Sequence, residues 1–302
     1  MLDVCLLGTS GKVPLPNRRL ASGVIRVNGS AVLIDCGEGT QVGLREYSIQ
    51  EKRIDVICIT HYHADHVAGL AGVLLAMANA GRTNAVTIIG PPGLGKIINA
   101  TRVFAPTLPF EIKLVVLSED SERIEFNDYT ITAFKVLHGT TCYGYSLELG
   151  RRPKFSVEKA EKNEVPREIW TPLSEGAIML SGGKVYRPDM VLTEPRKGIK
   201  VVYCTDTRPC NQINEFAEKA DILILEGMYP DASYTQKALD SYHMLFSEAA
   251  YVAKKASVKE LWLTHFCQMI ANPNSAIENA TSVFENTKVG HDGMSITLNY
   301  EE

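Results

Sequence analysis

Residues 54–66 read IDVICIT followed by HYHADH, and this stretch decides the fold. The first seven positions form a continuous run of mostly branched apolar residues. That length and composition predict a strand buried on both faces. The run gives way at once to His61, His63, Asp65 and His66, and from about residue 65 to 80 the spacing turns helical. Imidazole and carboxylate side chains suit zinc or a similar divalent ion. On an extended turn, residues two apart point the same way, so His61 and His63 can reach one ion. Asp65 and His66 stand at the start of the helix and aim elsewhere, which leaves room for a second ion. A chance cluster on a solvated loop is the bland alternative. Such crowding of ligands at a strand-to-helix junction argues against it.

Working outward, further candidate ligands close other apolar runs. His138 ends the run 129–137, Asp206 follows 201–205 within CTDT, and His265 follows 260–264 within LTHF. Glu226 closes the run 222–226, and His243 lies in SYHMLFSEAA just before a helical pattern. Of the seven histidines only His291 has no evident place in this scheme. Open α/β sheets put their ligand sites beyond the carboxyl ends of their strands, so positions that are weak singly gain weight together. Other strands are expected at 3–7, 23–27, 31–35, 86–89, 114–117, 123–126, 144–149 and 295–298. Helices are expected at 41–47, 94–104, 211–220, 247–256 and 274–284. Strands come first in groups and then alternate with helices, which favours sheets covered by helices on their outer faces. Residues 150–198 are polar and proline-punctuated, and read as an inserted arm rather than a second core.

Composition sets the outer bounds. The chain has 302 residues, 45% hydrophobic and 22% charged, with Lys+Arg 31 against Asp+Glu 35 and a net charge of −4. Disordered and fibrous classes are excluded, as is a uniformly basic nucleic-acid coat. The longest nearly apolar run, 67–78, falls short of the roughly 18 residues a membrane span needs. The start MLDVCLL lacks the charged region of a secretory signal. Seven scattered cysteines without paired short spacings are expected to be free thiols in a cytoplasmic protein. Gly90 to Lys96 fits the phosphate-loop spacing G-x-x-x-x-G-K, but Ile97 replaces the required Ser or Thr, so a plain strand-to-helix turn is the better reading.

The motif H-x-H-x-D-H, followed in order by His138, Asp206 and His265, resembles the metallo-β-lactamase superfamily. Within it the chain is similar to the ribonuclease Z family, endonucleases that cut the 3′ trailer from precursor tRNA. The likeness runs nearly end to end, through CLLGTSGKVPLPNRR, LIDCGEGTQ, ITHYHADHVAGLAGVL, IIGPPGL, LHGTTCYGYSL, PRKGIKVVYCTDTRP and LWLTHF. It implies a single metallo-β-lactamase-like domain over 1–302, an αββα sandwich with an inserted arm at about 150–198. It implies two zinc ions per chain, His61, His63 and His138 holding one, Asp65, His66 and His265 the other, and Asp206 bridging. Asp65 would also orient or deprotonate the attacking water, His243 would face the leaving oxygen, and Glu226 would orient His243. The implied protein is a zinc-dependent hydrolase, a homodimer whose arm grips precursor tRNA. The same metal core acting on a small-molecule ester is the alternative. The chain departs from the family pattern at Leu225 to Met228, at Met244-Leu245 and at Cys267 to Ile270. In the last of these a family arginine, a bidentate phosphate partner, is missing. The basic half of the arm carries six basic side chains (Arg151, Arg152, Lys154, Lys159, Lys162, Arg167) against four acidic ones (Glu158, Glu161, Glu164, Glu168).

Overall fold

The computed structural model describes residues 1–301. The apolar runs become strands β1 (Leu2–Gly8), β2 (Ser22–Val27), β3 (Ser30–Ile34), β4 (Ile54–Cys58), β5 (Val86–Gly90), β6 (Ile112–Val116), β7 (Ser121–Glu125), β8 (Thr130–Val136), β9 (Cys142–Arg151), β10 (Met179–Ser181), β11 (Lys184–Tyr186), β12 (Arg196–Cys204), β13 (Ile222–Glu226), β14 (Glu260–Thr264), β15 (Thr287–Val289) and β16 (Ser295–Leu298). One seven-stranded sheet has the order β16-β1-β2-β3-β4-β5-β6, and a second has β15-β14-β13-β12-β9-β8-β7. In the first, β16 to β3 pair antiparallel and β3 to β6 parallel. In the second, β7, β8 and β9 form an antiparallel meander, and β12 to β15 run parallel.

Alternation along the strands explains the layers. Leu7, Val24, Leu33 and Ile57 point to one side and pack beneath the helices Thr40–Glu46, Leu70–Asn79 and Leu94–Phe104, through Leu44, Val73, Leu74 and Ile98. Their neighbours Leu6, Ile25, Val32 and Val56 point the other way and are equally buried. They face the second sheet, as the approach of Tyr203 to Gly23 and the bond from Tyr145 Oη to the Ile59 carbonyl (2.7 Å) show. The far side of that sheet presents Val202, Leu223, Leu225 and Leu263 to the helix Phe246–Lys255. The result is an αββα sandwich. Burial on both faces is why the strands read as unbroken apolar runs, each large side chain contributing about 1.5–3 kcal/mol.

The structure departs from the expected elements in a few places. The helix expected over 65–80 is two helices, Ala64–Val67 and Leu70–Asn79. Between them the Gly69 N–H donates to the Cys36 carbonyl (2.8 Å), and a Cβ on Gly69 would lie 2.1 Å from the Gly37 oxygen. The helix expected over 274–284 is a 3₁₀ turn, Pro273–Ala276, and one helical turn, Glu278–Thr281. The phosphate-loop look-alike is a turn, Gly93 adopting a left-handed φ of 98° to open the helix Leu94–Phe104.

Gly150–Gly198, with Tyr300 and Glu301, forms a separate compact unit. Its helices Val157–Lys162 and Trp170–Ser174 and the hairpin β10–β11 enclose Ala160, Val165, Leu173, Tyr186 and Val191. Trp170 packs on Phe155 and donates from Nε1 to the Val165 carbonyl (2.9 Å). The arm thus has a small core that its polar composition conceals, since the contributing residues come singly from separated pieces. The Ser156 N–H donates to the Val191 carbonyl (2.7 Å) and closes its base.

Candidate metal centre

The site residues stand at the carboxyl ends of parallel strands. His61 follows β4, Asp206 follows β12, Glu226 ends β13, and His265 follows β14. Asp206 (φ 50°) and His265 (φ 57°) are both left-handed, a conformation that turns the chain sharply and aims the side chain across the strand end.

Two groups of ligand atoms converge. In the first, His61 Nε2 lies 2.8 Å from His63 Nδ1 and 3.8 Å from Asp206 Oδ2. His138 Nε2 lies 3.4 Å from His63 Nδ1 and 4.0 Å from Asp206 Oδ2. In the second, Asp65 Oδ2 is 3.5 Å from both His66 Nε2 and His265 Nε2. The other Asp206 oxygen, Oδ1, is 3.3 Å from His66 Nε2 and 3.1 Å from His265 Nε2. One carboxylate therefore presents an oxygen to each group. A tetrahedral zinc with bonds of about 2.0–2.1 Å spaces its ligands by about 3.3 Å, the middle of these separations. His66 Nε2, Asp206 Oδ1 and His265 Nε2 are buried without hydrogen-bond partners. Buried polar atoms are rarely left so, and three aimed at one point fit a cation.

The electrostatics agree. Burial, helped by neighbouring His66, pushes the His61 ring down to about 2, so it stays a neutral donor. Burial likewise lowers His138. Burial works against the charged carboxylates of Asp65 and Asp206, yet the surrounding histidines outweigh it and hold both below the usual carboxylate range. Burial disfavours protonated His66, but Asp206 and Asp35 overcome it and raise that ring. The same surplus of negative charge would favour a metal ion at this point.

Groups behind the ligands fix their orientation. Asp35, also left-handed (φ 59°) and following β3, accepts from Thr60 N–H (2.9 Å) and Thr60 Oγ1 (2.9 Å), and its Oδ2 lies 2.8 Å from His66 Nδ1. That contact leaves His66 Nε2 free for the ion. The Lys12 N–H donates to Asp65 Oδ2 (2.7 Å), and His138 Nδ1 faces the Tyr242 carbonyl (3.4 Å). In the sequence, the available signal for Asp35 is a carboxylate closing the apolar run 31–35.

Beside the candidate metal ligands sits a second pair of side chains, His243 and Glu226. His243 is buried, its ring centroid 5.4 Å from that of His138 and 5.7 Å from that of His265. Both oxygens of Glu226 lie 3.2 Å from His243 Nδ1. Glu226 also accepts from the N–H groups of Thr207 (2.5 Å) and Met244 (2.9 Å), which pins it. Burial lowers the proton affinity of His243, but Glu226 more than offsets this and the ring titrates above its usual value. Arg208, not singled out from the sequence, donates to the His243 carbonyl (2.5 Å) and forks onto Glu248 (2.8 and 2.5 Å), clamping the turn that carries the histidine. His291 lies outside both groups of ligands, its Nδ1 beside the Asp292 carbonyl (3.1 Å).

Family models match on both halves of the chain: the metallo-beta-lactamase superfamily over residues 20–153 and the beta-lactamase superfamily domain over 189–266. The chain is 51% identical to a ribonuclease Z of Agathobacter rectalis over 302 residues, all of both chains. It is 49% identical to one of Lachnoclostridium phytofermentans, over 100% of this chain and 99% of that one. The crystal structure of the short form of human tRNase Z superposes with a TM-score of 0.70 over 98% of both chains at 24% identity. YhfI of Bacillus subtilis, a metallo-beta-lactamase fold protein, does so with the same TM-score over 98% of both chains at 22% identity. These two structural likenesses speak for the fold.

Proposed function

The chain belongs to the ribonuclease Z family of the metallo-beta-lactamase superfamily, and on that premise we propose that it is a zinc-dependent endoribonuclease removing the 3′ trailer of precursor tRNA. It is a metal-dependent hydrolase with a binuclear His/Asp centre. The observation that carries the nuclease reading is the His243–Glu226 pair set beside that centre. A purely structural zinc site is closed and has no use for a buried proton donor at its edge.

Zinc suits a donor set of imidazole and carboxylate: His61, His63 and His138 would hold one ion, Asp65, His66 and His265 the other, and Asp206 would contribute an oxygen to each. When bound, two such ions supply a nucleophile at neutral pH and stabilise charge on the transferring phosphoryl group. The residues do the rest. Asp65, fixed by the Lys12 amide, orients the attacking water. His243, protonated and held by Glu226, donates its proton to the leaving 3′ oxygen. Asp35 keeps His66 in one tautomer. All seven cysteines are free, which supports a cytoplasmic setting, and no helix among the described residues is long and apolar enough to cross a membrane. The reading extends to a homodimer in which the arm of one subunit serves the site of the other.

The test is incubation of zinc-loaded protein with a 3′-extended precursor tRNA and with bis(p-nitrophenyl) phosphate. Release of the intact trailer is expected. Hydrolysis of the small diester with an untouched precursor would leave the alternative, a hydrolase of small esters, as the answer.

A further inference from the structure

We propose that Lys12 and Lys237 form a clamp for a phosphate of the substrate strand adjacent to the one hydrolysed, deepening the nuclease reading above and resting on it. A cavity of about 190 Å³ opens beside the metal centre, lined by Gly11, Lys12, Tyr229, Lys237, Cys267 and Met269. One wall belongs to the centre itself. Gly11 backs onto the His265 ring so closely that a Cβ there would lie 2.8 Å from Cε1. The next residue, Lys12, gives its N–H to Asp65.

Lys12 holds a left-handed backbone (φ 65°), a conformation free to glycine and strained for lysine. Lys237 arrives from the helix Thr235–Ser241. Its Nζ lies 5.5 Å over the Tyr229 ring, 6.0 Å over the Tyr234 ring and 3.9 Å from Met269 Sδ. These neighbours are aromatic faces and a thioether, and neither lysine joins a carboxylate in an ion pair among the described residues. Lys12 and Lys237 line one recess at the wall of the centre, and neither is held in an ion pair among the described residues, so the recess suits an anion. A nucleic acid strand carries a phosphate at every nucleotide, so the bond that is cut always has such an anion beside it. Lysine serves phosphate as a point charge and needs no bidentate geometry.

The test compares zinc-loaded wild type with Lys12→Ala, Lys237→Ala, the double variant and the two Lys→Arg variants, after zinc content and Tm have shown each to be folded and loaded. For precursor tRNA, Lys237→Ala is expected to raise KM several-fold with kcat within about twofold, and the double variant to raise KM roughly tenfold. The slope of log binding constant against log salt should fall by about 0.7 for each phosphate that is no longer neutralised, as for a single strand. Arginine at either position should restore most of the affinity. An unchanged KM and salt slope in a zinc-loaded double variant, or a weakening that arginine does not rescue, overturns the clamp. A 5′-phosphorylated trinucleotide, titrated as inhibitor of bis(p-nitrophenyl) phosphate hydrolysis, separates this from the nuclease reading. Should wild type leave precursor tRNA uncut, that reading fails, while the trinucleotide Ki still reports on the clamp. A Ki weakened about tenfold in the double variant supports it, and an equal Ki overturns it.

Discussion

Asp35, Asp206 and His265 each follow a strand with a positive φ, of 59°, 50° and 57°. A left-handed non-glycine residue costs roughly 1–2 kcal/mol, so three in one site mark where the fold is held against its own preference. Asp35 is tied to Thr60 and His66, while Asp206 Oδ1 and His265 Nε2 face each other across 3.1 Å, both buried and without a hydrogen-bond partner. Asp206→Asn keeps the shape and the tolerance for that backbone but removes the charge. Circular dichroism should be unchanged, and elemental analysis should show a chain depleted of metal. Full metal content in this variant would remove Asp206 from the ligand set. Asp35→Ala frees the His66 ring and is expected to weaken metal affinity by about 10–100-fold in a chelator competition. His243→Ala should lower kcat by about 10²–10⁴ with metal retained. Because Glu226 raises His243, the protonated acid persists to higher pH, and activity should fall on the alkaline limb as that proton leaves. Glu226→Gln withdraws the raising charge and should move the alkaline limb to lower pH. A limb that stays in place would assign it to another group.

At the scale of elements, the parallel strands were legible because burial on both faces leaves a continuous apolar run, and a polar residue at its end stands out. Ile54 to Thr60 followed by His61, and 201–205 followed by Asp206, are read this way without a structure. The break in the helix after Val67 was not legible. It depends on the loop at Cys36 and Gly37, more than thirty residues upstream in the sequence, approaching Gly69. Gly69→Ala must displace that loop, and is expected to cost about 1–3 kcal/mol in thermal unfolding, as overpacking does. An unchanged Tm would show that the loop yields freely. Strand β15, only three residues long, is too short to carry a period. The loop after His265 shows the same limit from the functional side. Its sequence lacks a cation, but Lys237 reaches Met269 from 32 residues away in the chain, and no local pattern reports that approach.

For the whole molecule, the division into two units separates two tasks. Every proposed metal ligand, with His243 and Glu226, lies in the unit formed by Met1–Leu149 and Ile199–Asn299. The arm keeps its own apolar cluster around Leu173 and Tyr186, and part of its charge is spent internally, as in the pair Lys159–Glu194 at 3.3 Å. Its basic excess is therefore modest, and the proposed grip on RNA would have to rest on the few remaining cations. The hydrogen bond between Ser156 and Val191 brings the two ends of the arm together, so residues 157–190 can be replaced by a short Gly-Ser linker without stretching the chain. The shortened protein should bind the same amount of zinc, because no ligand is removed. Cleavage of precursor tRNA should fall by orders of magnitude. Hydrolysis of bis(p-nitrophenyl) phosphate should persist, since a substrate with one phosphate needs the metals and not the arm. Arg and Lys side chains of the arm should also steepen the salt dependence of precursor binding in the full chain relative to the shortened one, by about 0.9 log units per log salt for each duplex phosphate. Equal declines on both substrates, with zinc intact, would make the arm a structural support of the centre and not a grip on tRNA.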